Sequence, residues 1–259
     1  MSVQHLIEKK LELLPWYVEE FIHHRALKRS ENTLLEYIND YLIFFQWLVD
    51  TKYFSGETKD VPLEVLESLR IRDIDLFQSF CVHQRKNSID TVARRLQSLK
   101  SLFTYLSQIA EDENYYPYLK RNVMAKIEIE RQKRTQTERA ESIQSKILQE
   151  DEIEKFRIFV ASDYGELIKN NKRAYNYYIQ NRERDLALIS LILGSGLRVS
   201  EAVSLDIDMI DFNNCYVLIN RKGGKKDKVV FSDTALQDLI VYRDIRGSRY
   251  KADQTEKAF

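Results

Sequence analysis

The sequence predicts a mainly α-helical protein of two domains, with one short β-hairpin in its second half. Its 259 residues exceed the usual size of a single domain, so two separate cores are expected. Only seven glycines and three prolines occur, and these residues punctuate the strands and turns of all-β folds. Long segments also repeat apolar residues at helical spacing. Together these observations argue against an all-β fold or a fold built on glycine-rich loops.

The first well-marked helix lies near residues 33–48. Thr33 and Glu36 have the spacing of a capping box, which predicts the helix start. Just before it, Lys28 and Arg29 cluster with Arg25, where a helix N-terminus could meet a phosphate, although a solvated connector would look the same. The predicted buried stripe is Leu34, Tyr37, Ile38, Tyr41, Leu42, Phe45 and Leu48.

A second amphipathic helix is predicted over residues 88–107. Arg94, Arg95 and Lys100 fall largely off its apolar stripe, which predicts a basic outer face. Such a face is usually only solvated, so it indicates nucleic-acid binding only if other residues support that function. The predicted buried stripe is Ile89, Val92, Leu96, Leu99, Phe103 and Leu106.

A linker is predicted over residues 126–147, which are charged and polar and contain few large apolar side chains. This assignment gives a first domain at residues 1–125 and a second at residues 148–259. Lys133, Arg134 and Arg139 contribute to the charge of the linker.

In the second domain a short helix is predicted at residues 148–160 and a buried helix at residues 185–193, ending at Gly194. Two β-prone runs follow, at residues 216–219 and 228–231. Basic residues and glycines separate them, which predicts a hairpin with a basic tip.

Charge does not by itself indicate a nucleic-acid partner, because 40 basic and 40 acidic residues cancel. Local clusters do occur. Residues 85–139 contain 12 Lys or Arg against 7 Asp or Glu, and residues 221–228 contain five basic residues and one acidic residue. Neither stretch is decisive alone.

The cysteines and the apolar runs bear on the location of the protein. Cys81 and Cys215 match no metal or redox spacing, so we expect both to be reduced, as in the cytosol. The longest apolar run, residues 186–193, is too short to span a bilayer. We therefore expect a cytoplasmic protein without membrane insertion.

The most specific segment is residues 184–211, RDLALISLILGSGLRVSEAVSLDIDMID. An apolar helix there meets two glycines and is followed by Leu197, Arg198, Glu201 and Leu205. This pattern resembles the first catalytic arginine motif of the tyrosine recombinases. The motif has a Gly, a Leu, the Arg, two further residues and an acid, with a Leu several residues later.

Two further segments resemble the same family. Residues 216–230, YVLINRKGGKKDKVV, look like its β-hairpin, with Lys222 and Gly223 at the tip. Residues 93–106, ARRLQSLKSLFTYL, look like part of its helical core-binding domain. The order and spacing of the arginine motif and the hairpin agree with the family, and the resemblance covers essentially the whole chain. The similarity is greatest to the single-recombinase Xer branch, in residues 15–18, 118–124 and 221–224.

The resemblance implies a helical, SAM-like core-binding domain followed by part of an α+β catalytic domain with a small β-hairpin. It implies an enzyme that cuts and rejoins duplex DNA through a 3′-phosphotyrosine, without a metal or nucleotide cofactor. Arg198 would stabilise charge on the scissile phosphate, Lys222 would protonate the leaving oxygen, and Glu201 would support Arg198. The expected DNA contacts are Lys28, Arg29, Arg94, Arg95, Lys100, Arg221 and Lys225.

The family completes its site with a His-x-x-Arg motif, another His or Trp, and a nucleophilic Tyr, all after the hairpin. The histidines of this chain are His5, His23, His24 and His83. Tyr242 and Tyr250 follow the hairpin too soon to match the nucleophile. We therefore expect a C-terminally truncated recombinase that binds DNA without cleaving it.

The resemblance also implies the partners: a duplex recombination site, three further copies forming a homotetramer on two DNA sites at full length, and a DNA translocase of the FtsK type. Chromosome-dimer resolution is the expected role. The alternatives are a mobile-element integrase, a non-catalytic DNA-binding fragment, and a helical interaction protein unrelated to DNA.

Overall fold

A computed structural model describes residues 2–130, 135–144, 146–221, 224–252 and 258–259. The chain forms two compact units, Met1–Gln136 and Thr137–Phe259, and this division lies inside the predicted linker. The described residues are mainly helical with one small sheet, which confirms the predicted fold class. None of the helices in this part of the chain has both the length and the apolar character that a membrane crossing requires.

Helices are the main regular elements of the described residues of the first unit, and one isolated β-bridge joins Glu111 and Pro117. The core of this unit is rich in aromatic side chains, and each of these contributes about 1.5–3 kcal/mol through burial. Phe44 lies at the centre, with its ring centroid 5.1 Å from that of Phe77. Short 3₁₀ turns lie at Thr58–Asp60 and Val123–Lys126, and a π-helical turn lies at Phe80–Gln84. The helices are α1 Val3–Leu11, α2 Trp16–Ala26, α3 Glu31–Asp50, α4 Leu63–Ser68, α5 Ile71–Ser79 and α6 Ile89–Gln108.

Helix α3 begins earlier than the sequence analysis predicts. Its N-cap is Ser30, so the predicted capping box of Thr33 and Glu36 is wrong. Ser30 is itself a preferred N-cap residue one turn upstream, and its Oγ lies 3.0 Å from the Oγ1 of Thr33. The predicted stripe along α3 lies in or against the core, joined by Phe44 and Trp47.

Helix α6 confirms the predicted helix at residues 88–107, with Ser88 as its N-cap. For two residues, the structure contradicts the predicted face of the helix. Ile89 is 52% exposed, because it is the first residue of the helix and extends past the core. Arg95 is only 6% exposed, because it is one turn from Val92 and Leu99 on the buried side.

The core of the first unit continues beyond the predicted domain end at residue 125. Ile127 is 5% exposed within this core, and Ile129 packs against it. Helix α7, Gln136–Gln144, follows within the predicted linker and buries none of its residues. The segment predicted as a linker therefore begins with residues that pack on the core of the first unit and continues into a helix.

The second unit packs two long helices against a small sheet. Gly194 lets the start of α12 pack close to α10, because a Cβ there would collide with Ser232 Oγ and crowd Ala235. The predicted helix at residues 185–193 is part of α10, which starts 13 residues earlier. The helices are α8 Glu150–Ile158, α9 Tyr164–Ile168, α10 Lys172–Ser195, α11 Val199–Ala202 and α12 Asp233–Tyr250, with a π-helical turn at Phe159–Asp163 and a 3₁₀ turn at Ile207–Met209.

The sheet has the antiparallel order β1-β2-β3, with strands β1 Ile210–Asp211, β2 Tyr216–Asn220 and β3 Lys226–Val230. Strands β2 and β3 form the predicted hairpin, and Asn220 pairs with Lys226 nearest its turn. Val217 and Ile219 point into the core, while Leu218 between them is 48% exposed. This alternation is the period of two that a half-buried strand requires.

Candidate active site

Arg198 lies between α10 and α11, directly after a tight change of chain direction. Gly196 ends α10 with φ +67°, a left-handed conformation that glycine adopts without strain. Leu197 is then buried at 4% exposure, while the side chain of Arg198 is 69% exposed. The chain is therefore anchored on the residue before Arg198, and the guanidinium faces solvent.

Glu201 holds Arg198 by two hydrogen bonds. The backbone N–H of Arg198 donates to Glu201 Oε2 at 3.0 Å, and Arg198 Nη1 donates to Oε1 at 2.7 Å. The backbone bond from Arg198 lowers the pKa of Glu201 most, and the side-chain bonds from Arg198 and Arg221 act in the same direction against burial. The carboxylate therefore stays ionised and fixes the orientation of the arginine.

Arg221 joins the same carboxylate from the hairpin. Its Nη1 lies 3.1 Å from both oxygens of Glu201, and its Nε lies 3.0 Å from Asp227 Oδ2. The pKa of Asp227 is lowered, chiefly by this bond from Arg221. The side chain of Arg221 is 33% exposed, so it is less accessible than Arg198.

The hairpin tip is closed by two backbone hydrogen bonds. Arg221 N donates to Lys225 O at 2.7 Å, and Gly224 N donates to Arg221 O at 3.0 Å. Gly224 has φ +78°, which favours glycine at this turn position. Lys225 is exposed. Lys222, the predicted general acid, and Gly223 lie outside the described residues.

The basic residues predicted in the first unit fall into three environments. Lys28 and Arg29 are exposed in the turn between α2 and α3. The side chain of Arg94 is 45% exposed and pairs with Asp40. Lys100 is half-buried, with Nζ 3.4 Å from Ile127 O. Lys28, Arg29 and Lys100 can offer positive charge to an anion. Arg94 also lies 3.4 Å from Glu36, so it can do so only with the part of its guanidinium that the two carboxylates leave exposed.

The prediction that Arg95 lies on an exposed basic face is wrong. Its Nε donates to Asp40 Oδ1 at 3.2 Å, and its Nη1 contacts Asn87 and, at 3.7 Å, Cys81 Sγ. A guanidinium that is 6% exposed and surrounded by these partners cannot reach a phosphate without local unfolding. Its role is to neutralise Asp40 within the core.

Asp40 is the residue that sequence analysis missed. It is 1% exposed, and Arg94 and Arg95 both bind it. A signal was present, because Asp40 lies one helical turn from the predicted core residue Tyr37, on the same face of the helix. An acid in that position requires a cationic partner when it is buried.

The arrangement around Arg198 suits recognition of a tetrahedral oxyanion. A guanidinium offers planar N–H donors in a fork that can bind two oxygens at once. Glu201 engages one end of that fork, and the rest faces solvent. Within the described residues there is no group of three or more His, Cys, Asp or Glu side chains that could hold a metal ion.

Comparison with known proteins gives one consistent family. Residues 161–258 match the model of the Phage integrase family. The chain is 37% identical over 264 residues to the tyrosine recombinase XerS of Lactococcus lactis subsp. cremoris (strain SK11), covering 98% of this chain and 74% of the relative. Identity to XerS of Streptococcus mutans serotype c is also 37%, over 267 residues and with the same coverage.

Solved structures show the same fold. The XerH site-specific recombinase in its pre-cleavage complex with difH substrate aligns with a TM-score of 0.59 and 18% identity, covering 96% of this chain and 72% of that chain. The Tn1549 transposon integrase, in complex with circular intermediate DNA, aligns with a TM-score of 0.52 and 17% identity, covering 92% and 65%. Because 98% of this chain aligns with XerS at 37% identity, the chain belongs to the tyrosine recombinase family, among the recombinases of the Xer type.

Proposed function

We propose that this protein is a site-specific recombinase that cuts and rejoins duplex DNA at a recombination site through a 3′-phosphotyrosine intermediate. The observation that carries the proposal is Arg198, 69% exposed yet held at two points by a buried carboxylate. The solved relatives XerH and the Tn1549 integrase were each captured on DNA. Their fold is the fold of this chain.

The chemistry explains why arginine is suited to this position. Attack of a phenol on a phosphodiester builds negative charge on the non-bridging oxygens, and a preorganised guanidinium stabilises that charge. The 5′-oxygen that leaves requires a proton, and the amine of Lys222 at the hairpin tip is proposed to supply it. Glu201 supports the reaction by fixing Arg198.

DNA affinity is proposed to come from both units. Lys28 and Arg29 in the first unit and Lys225 in the hairpin are exposed cations, and Arg94 and Lys100 are partly exposed. Each phosphate contact releases condensed counterions, so binding is expected to weaken steeply with salt. Arg95 is not part of this interface, because it is buried against Asp40.

This 259-residue chain by itself is proposed to bind DNA without forming a covalent adduct, because cutting by the proposed recombinase also needs the His-x-x-Arg motif and the tyrosine that the family has after the hairpin. Its four histidines all precede residue 84, so none follows the arginine motif as the family's His-x-x-Arg pattern requires. The test combines footprinting and denaturing gel electrophoresis on one duplex, selected from a random pool by its binding to the chain. We expect protection of the duplex and no protein that remains attached after denaturation.

Two results would contradict this proposal in different ways. An adduct formed by the 259-residue chain would show that it contains a working nucleophile. The absence of any salt-sensitive affinity for the selected duplex would instead favour a helical interaction protein unrelated to DNA.

For the cellular role we propose chromosome-dimer resolution, supported by the similarity to XerS. A homotetramer on two DNA sites and a DNA translocase of the FtsK type are the proposed partners. Mapping the chromosomal sites that the protein occupies tests this role. One site in the replication-terminus region supports it, whereas sites at the ends of a mobile element would identify an integrase.

A further inference from the structure

Arg221 has partners that do not suit a direct DNA contact. Its Nη1 bridges both oxygens of Glu201, and its Nε binds Asp227 Oδ2. Two carboxylates thus engage one guanidinium that is 33% exposed. These carboxylates occupy the donors of Arg221 at Nε and Nη1, so its guanidinium has fewer N–H groups left for a phosphate than Arg198 has.

We infer that Arg221 is a positioning residue that ties the start of the hairpin turn to Glu201 and thereby holds Arg198 in one orientation. The inference rests on the proposed role of Arg198. It replaces the sequence-based prediction that Arg221 contacts DNA. Arg221 acts on the reaction only through these neighbours.

Two backbone hydrogen bonds fix the hairpin turn at Arg221. Hydrogen bonds from Arg221 N to Lys225 O and from Gly224 N to Arg221 O close the turn at this residue. Fixing the guanidinium of Arg221 therefore restrains the point from which the turn starts.

The shared carboxylate connects the turn to the arginine motif. Glu201 is 8% exposed, and its two oxygens accept four hydrogen bonds, two from Arg198 and two from Arg221. Without Arg221, the carboxylate has fewer donors and can take a second orientation. Lysine cannot replace Arg221, because an ammonium is a point charge that lacks the planar fork needed to bridge Glu201 and Asp227.

The test is a phosphate-neutralisation scan with the 259-residue chain. A duplex selected from a random pool by binding is prepared with one methylphosphonate at each linkage in turn. Affinities are measured for the wild type, Arg198→Ala, Arg221→Gln and Arg243→Gln. The linkage whose neutralisation weakens the wild type but not Arg198→Ala is the phosphate that Arg198 binds.

We expect neutralisation at that linkage to weaken the wild type roughly tenfold, the effect of losing one charged hydrogen bond. In Arg221→Gln the loss should fall to roughly twofold at the same linkage, because Arg198 is no longer held in one orientation. The slope of log affinity against log salt should fall by less than one contact, since Arg221 itself makes no phosphate contact and Arg198 keeps part of its own. Amides in residues 216–221 should also exchange hydrogen faster.

Arg243→Gln is the matched control. Arg243 also lies in the second unit, pairs with Asp244 at 3.1 Å and stacks on Phe212. Its replacement removes the same charge without touching Glu201, so the scan should match the wild type. If Arg221→Gln does not fold, Arg221→Lys carries the test, with the same expected loss.

Two results would overturn the inference. If Arg221→Gln becomes insensitive at a different linkage and its salt slope falls by about one, Arg221 contacts DNA directly. If the scan of Arg221→Gln equals that of the wild type, Arg221 does not hold Arg198 in position. If instead no linkage distinguishes Arg198→Ala from the wild type, the proposed function of Arg198 fails, which is a separate outcome.

Discussion

The carboxylate of Asp40 accepts two hydrogen bonds from the guanidinium of Arg94, at 2.7 and 3.0 Å, while only 1% of Asp40 is exposed. Arg95 binds the same carboxylate from inside the core. We predict that Asp40→Ala destabilises the first unit by about 3–5 kcal/mol, because Arg95 then stays buried without its carboxylate. Urea unfolding of the chain measures this change.

The control for that variant is Asp50→Ala on the same helix. Asp50 is exposed and accepts a hydrogen bond from Gln46. Its replacement should change stability by no more than about 0.5 kcal/mol. Equal losses of stability in the two variants would mean that the buried ion pair stabilises the first unit no more than the exposed Asp50 does.

Arg94 and Lys100 provide the test of DNA binding by the first unit. The double variant Arg94→Ala, Lys100→Ala should weaken binding to all duplex sequences and flatten its salt slope by about two. Thermal melting must accompany the measurement, because Arg94 also pairs with Asp40. A folded double variant with the wild-type slope would remove both residues from the interface.

The first unit is expected to fold by itself, with an end point later than residue 125. A fragment of residues 1–130 should melt cooperatively, since it contains the complete core. A fragment of residues 1–125 should be less stable by about 1.5–3 kcal/mol, because it lacks Ile127. Equal midpoints would show that Ile127 does not contribute, and a gradual melt of the longer fragment would refute independent folding.

Glu201 makes the stability of the second unit sensitive to acid. Hydrogen bonds from Arg198 and Arg221 lower its pKa in the folded state, so below about pH 5 the unfolded state binds more protons than the native state. This contribution is present above the unfolded pKa and is lost as pH falls through the folded pKa. Glu201→Gln should therefore reduce the loss of stability between pH 6 and acidic pH, as measured by urea midpoints. An unchanged acid profile would contradict the prediction.

The roles of Lys222 and Arg198 can be separated in a form of the protein that carries a nucleophilic tyrosine. In a DNA substrate whose leaving group is a 5′-thiolate, the leaving group needs no proton. This substrate should therefore rescue cleavage by Lys222→Ala. It should not rescue Arg198→Ala, which lacks stabilisation of the phosphate charge. Equal rescue of both variants would contradict the assignment.

Local patterns in the sequence were sufficient for helices α3, α6 and α8, for the end of α10, for the hairpin and for the arginine motif. The stripes of α3 and α6 and the alternation of β2 are periodicities of neighbouring residues, so they can be read without knowing the fold. The contact between Glu201 and Arg198 spans one helical turn and is local in the same way. Capping was less predictable, because Ser30 and Thr33 both offer hydroxyls one turn apart.

Only the tertiary structure decided which basic residues are accessible. Arg95 and Arg94 are neighbours in sequence, yet Arg95 is buried because Asp40, 55 residues away, supplies its charge partner. Arg221 appears in the sequence as one cation of a basic tip, but it binds Glu201, 20 residues away. Such pairings depend on how distant segments pack, and the desolvation of a charge is set by that packing rather than by its sequence neighbours.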